Sequence, residues 1–168
     1  GGAPTHKVCL ACPTTLSAEA AAAMTGIHPH NWDGRLPGSK TIPLDVAQAL
    51  AKREHGLTLH GLTTISDETL KALAEHRAHP HLAKPLVYFG SLTTISDEAA
   101  TVLASWPKWS GELPALTALP EHAATAFAAS RNWKGAFPAV KTISAEAARA
   151  LAQRSGDLSL DGLTAISD

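Results

Sequence analysis

A chain of 168 residues, 45% hydrophobic and 17% charged, is long enough to bury a core within one domain. Its 14 Lys and Arg against 15 Asp and Glu leave a formal charge of −1, and no basic run occurs, so no global field draws it to nucleic acid or an acidic membrane. No stretch approaches the roughly 18 apolar residues of a membrane span, and Cys9 and Cys12 are too few for a disulfide framework.

Along the chain, Val8 and Leu10 read as a short strand, and Leu16-Ser17 introduces an Ala-rich helix reaching Met24. Trp32, Gly34 and Pro37 precede Ile42-Pro43 and a second helix ending near Leu50. Residues 57–74, LTLHGLTTISDETLKALA, give Leu57 and Leu59 as a strand and a helix from Asp67 to about Glu75. After the long connection HRAHPHLAKP, Val87 and Phe89 form the next strand, and a helix follows Ile95-Ser96. Trp109, Gly111 and Pro114 lead to Leu119-Pro120 and a helix through Phe127. Trp133, Gly135 and Pro138 lead to Ile143-Ser144 and a helix through Leu151; Leu158, Leu160, Leu163 and Ile166 then begin the pattern again.

The apolar residue before each Ser or Pro serves as an anchor. The anchors are Leu16, Ile42, Ile65, Ile95, Leu119, Ile143 and Ile166, spaced by 26, 23, 30, 24, 24 and 23 residues. Such a period predicts one repeat domain over 1–168, in which stacked units complete each other's core. Ser17, Ser66, Ser96 and Ser144 stand where N-caps belong, with acids in the following turn. Pro43 and Pro120 replace the serine in two units. Paired alanines, such as Ala20-Ala21, Ala99-Ala100, Ala123-Ala124 and Ala147-Ala148, predict a close inward helix face. The expected fold is α/β: a solenoid of strand and short helix, with a curved parallel sheet on its concave face. The seventh unit stops where its helix should start, which predicts a fragment of a longer array, or an end that stacks on another copy.

Residues 57–74 resemble the leucine-rich-repeat class, and most closely its divergent bacterial repeats written LxLxGLTxLSxExAxALA. The resemblance spans about residues 8–168. It implies protein interaction, no cofactor and no catalytic residue. The class places Asn or Cys after the strand. Here Leu62, Leu92, Leu116, Val140 and Leu163 stand there, and Thr63, Thr64, Thr93 and Thr94 are expected to replace the Asn ladder through their hydroxyls.

On a concave strand face the outward side chains include Arg35, Thr58, His60, Tyr88 and Glu112, the best partner contacts. Their uneven chemistry suits one irregular protein partner better than a repeating polymer. Trp32, Trp109 and Trp133 share the text W-x-G-x-[LF]-P. They read first as packing under a close-approach glycine, and second as an aromatic binding strip. Trp106 falls outside that pattern and is expected at the surface. Cys9-x-x-Cys12 sits in a strand register with no helix start behind it, against a redox role. The pairs His28/His30 and His79/His81 read as surface turns before metal ligands, and no catalytic constellation appears.

The expectation is a non-catalytic repeat module for protein–protein interaction or scaffolding. Its partners would be another protein or further copies stacked end to end, with no nucleic acid, membrane, metal or cofactor. The alternatives are a structural subunit of a surface layer, shell or filament, and a metal- or glycan-binding accessory domain of an enzyme.

Overall fold

Four serines start helices as their positions demand. Ser17, Ser66, Ser96 and Ser144 each have extended backbone, and each hydroxyl accepts from the amide three residues on, at 3.2, 3.3, 2.9 and 3.1 Å. Each bond satisfies one of the free donors of a helix start. Pro43 and Pro120 occupy the cap position itself and supply only the fixed φ, at −67° and −60°. The computed structural model describes residues 16–26, 34–36, 38–53, 56–75 and 87–167.

The helices are α1 (Ala18–Thr25), α2 (Leu44–Leu50), α3 (Asp67–Ala74), α4 (Asp97–Ser105), α5 (Glu121–Ala129) and α6 (Ala145–Ala152). Each packs on the next in chain order. Alanines make that approach close: Ala21, Ala47, Ala99, Ala100, Ala123, Ala124 and Ala147 are fully buried. Ala20 is exposed and Ala148 half-buried, so the paired-alanine face is less uniform than the spacing predicts.

The strands are β1 (Leu57–Thr58), β2 (Val87–Tyr88), β3 (Thr142–Ser144) and β4 (Ala165–Ser167). They form two separate parallel pairs, β1 with β2 and β3 with β4. Elsewhere the parallel pairing shrinks to single bridges, Arg35 to Thr58, Val87 to Trp109, Ala118 to Thr142 and Ala136 to Ser159.

These observations correct the fold and family expected from the sequence. The architecture is a bundle of short helices with two small unclosed parallel sheets. It is not a leucine-rich-repeat solenoid with a curved sheet along a concave face. The reason is local. Gly34, Gly111 and Gly135 have φ of 82°, 78° and 84°, which ends extended backbone where a continuous sheet would need it. Pro114 and Pro138 follow, and neither can donate to a ladder. The second sheet also lies elsewhere than expected: it pairs Ile143 with Ile166, at the anchors and not at the strand positions before them.

One core nonetheless runs through the described residues. Leu59, Phe89, Leu113 and Phe137 are all buried in it, as are Leu62, Leu92, Leu116 and Val140. Each fully buried side chain of this size contributes about 1.5–3 kcal/mol before the entropy of ordering is subtracted.

Beside the core, backbone bonds cross from segment to segment. Thr63 N–H donates to the Lys40 carbonyl, Thr93 to Thr63, Thr117 to Thr93 and Thr164 to Lys141, at 3.0, 3.1, 3.0 and 2.8 Å. The threonine hydroxyls double these bonds to the same carbonyls, at 3.5, 3.3, 3.0 and 3.0 Å. The expected hydroxyl substitution therefore occurs, but at Thr63, Thr93, Thr117 and Thr164. Thr64 and Thr94 face solvent.

Replacing Thr93 by Val, which keeps the shape and removes the hydroxyl bond, should lower stability by about 1 kcal/mol. The double change Thr64→Val/Thr94→Val should alter the unfolding free energy from urea denaturation by no more than about 0.5 kcal/mol.

Candidate functional site

Strand alternation sets the outward row. Leu57 and Leu59 are buried while Thr58 between them is half-exposed; Val87, Tyr88 and Phe89 repeat the pattern. Arg35 pairs with Thr58, and Thr58 with Tyr88. Three bonds hold this register: Thr58 N–H to Gly34 O at 2.8 Å, Leu36 N–H to Thr58 O at 3.0 Å, and Leu59 N–H to Tyr88 O at 2.8 Å. A guanidinium, a hydroxyl and a phenol are thereby lined up on neighbouring segments, about 4.8 Å apart at the backbone. His60 is exposed at the next outward position of its segment. Its ring lies where a Cβ on Gly90 would fall, 2.3 Å from Nδ1, so a side chain at that position would displace the His60 ring.

Glu112 does not join this row. The fifth segment pairs two residues earlier than the shared offsets imply, with Trp109 opposite Val87. Ser110 N–H donates to Val87 O at 2.9 Å, and the chain then turns at Gly111. Glu112 is carried past Tyr88 to meet Lys134, whose Nζ lies 2.6 Å from Oε1. Both side chains are half-exposed, so this pair adds little stability.

Trp109 and Trp133 lie inside the protein, 2% and 1% exposed, where they fill the core. Trp109, Phe127, Trp133 and Phe137 form one aromatic cluster with ring centroids 4.5–5.8 Å apart. Trp32 lies outside the described residues, as do Cys9, Cys12, His28, His30, His79 and His81. Trp106, expected at the surface, is buried beside Phe89 at 6.3 Å.

The glycine of the W-x-G text has a double cause. Its φ is positive, and a Cβ would meet the carbonyl oxygen of the next segment, Gly56 at 2.0 Å, Asn132 at 2.3 Å or Asp157 at 2.0 Å.

Sequence reasoning missed two arginines. Arg53 and Arg154 each stand eleven residues after an anchor, Ile42 and Ile143. Arg53 is fully buried; Nη1 donates to Met24 O and Nε to Gly56 O, both at 3.3 Å. Arg154 donates from Nε to Asp157 O at 3.0 Å, from Nη1 to Ser130 O at 3.2 Å and from Nη2 to Trp133 O at 2.9 Å. Its guanidinium also sits 4.7 Å over the Trp133 ring. Both side chains tie helix-end and loop carbonyls of one segment to the next. The shared offset, behind a W-x-G element in each case, was the available signal.

At the helix starts the surface is acidic. Lys71 pairs with Glu98, whose hydrogen bond holds the ammonium above its ordinary pKa. His122 Nδ1 lies 3.7 Å from Asp97 Oδ2. Among the described residues, no three His, Cys, Asp or Glu side chains are grouped to hold a metal ion. No helix of the described residues is long and apolar enough to cross a membrane. Comparison with protein-family models, with curated proteins and with solved structures gives no match.

Gly135→Ala should cost at least about 1–2 kcal/mol, since it combines a left-handed backbone with a carbonyl clash. Gly26→Ala, where no atom lies within 4 Å of the added Cβ, is the control and should not destabilise. Chemical denaturation of both variants checks the contrast.

Proposed function

We propose that the chain is a non-catalytic module for protein–protein interaction or scaffolding. The observation that carries this reading is the row Arg35, Thr58 and Tyr88, held in register by backbone bonds over a buried core, with exposed His60 beside it. A row of unlike side chains on a rigid base suits one irregular protein surface. Arg and Tyr are also the residue types most often dominant in such contacts.

The test uses the purified chain as immobilised bait, beside an Arg35→Ala/His60→Ala/Tyr88→Ala variant with matched circular dichroism. One saturable partner retained by the parent and lost by the variant is expected. Identical retention by both would remove this surface from the account.

A second reading, a structural subunit whose copies pack together, is favoured by Leu158 and Ile166. They are 41% and 57% exposed, while the residues at matching offsets in inner segments, Leu57, Val87, Ile95 and Ile143, are buried. This reading predicts concentration-dependent growth in sedimentation velocity that Ile166→Lys abolishes. A monomer at all concentrations would exclude it.

A further inference from the structure

We infer that the furrow between the C-terminal ends of α5 and α6 binds an oxyanion, a phosphate or carboxylate group. This goes beyond the partner surface above and uses none of its residues.

The furrow has a volume of about 510 Å³, and Ser130, Arg131, Gln153, Arg154, Ser155 and Gly156 line its polar part. It adjoins a smaller part lined by Ala128, Ala129 and Ala150. No Asp or Glu is among these lining residues. The side chains of Arg131, Gln153 and Ser155 are exposed and have no hydrogen-bond or ion-pair partner among the described residues.

Two opposing charges decide the sign of the site. The ends of α5 and α6 each present about half a negative charge. Against them stand two full guanidinium charges, Arg131 and Arg154, leaving about one unit of positive charge. Arg154 is already fixed by three carbonyls and by Trp133, so its charge is pre-positioned at no further cost in order. Arg131 is the unpaired partner, with a fork of donors that matches the geometry of an oxyanion. Gln153 and Ser155 add neutral donors.

The test is an NMR titration of the full ¹⁵N-labelled chain with inorganic phosphate against sodium chloride at matched ionic strength, with acetate as a second arm. Saturable shifts grouped at Arg131, Gln153, Ser155 and Gly156 are expected. Arg131→Gln should weaken binding at least tenfold, and Arg131→Lys, which keeps the charge and loses the fork, should weaken it less. Saturation by phosphate alone assigns a phosphate group, by acetate alone a carboxylate, and by both the shared oxyanion. No saturable shift of these amides with either anion, or undiminished binding in Arg131→Gln, overturns the site.

Discussion

Backbone carbonyls that one segment leaves open are filled by amides of the segment after it. Gly34, Lys40, Thr63, Thr93, Gly135 and Lys141 each accept such a bond, at 2.7–3.1 Å. Gly34 and Gly135 are buried, and a buried carbonyl without a partner would cost about 1–3 kcal/mol, so there the crossing bond is a constraint. The crossing pattern fixes the register in which Leu59, Phe89, Leu113 and Phe137 share a core. It also fixes where α3, α4 and α5 must sit, because each starts four residues after a crossing bond, at Thr63, Thr93 or Thr117. Arg53 and Arg154 perform the same task with side chains, reaching the carbonyls of Met24 and Ser130 in the segments before them.

Local chemistry was well legible in the amino-acid sequence. The serine caps and the helix starts could be read from residue type alone, because each rests on contacts within a few positions, and the buried apolar offsets could be read from their period. The architecture was not legible. A strand needs an extended backbone over several residues, and Gly111 or Gly135 cannot be distinguished from an ordinary turn glycine without its φ. The apolar pattern was therefore extended into a continuous curved sheet, where the chain makes two short sheets and single bridges. Glu112 is displaced by a two-residue change of pairing at Trp109, just ahead of the turn at Gly111, which the shared offsets do not reveal.

The proposed interaction row and the furrow differ in how they could be found. Arg35, Thr58 and Tyr88 share an offset, so periodicity alone brings them together. Arg131 and Gln153 come from different positions in their segments and meet only because α5 packs on α6. Trp109 and Trp133 illustrate the converse. A repeated aromatic invites a binding role, but at 2% and 1% exposure those rings fill the core beside Phe127 and offer a ligand no surface.

Native-state hydrogen exchange on the amides of Thr63, Thr93 and Thr117 tests the crossing bonds most directly. The account predicts that these three protons exchange slowly and together, through one shared opening, although the threonines carrying them lie at or near the surface. Exchange at the rate of an unstructured peptide would show that the segments are not joined in this way, and the core register argued from them would fail.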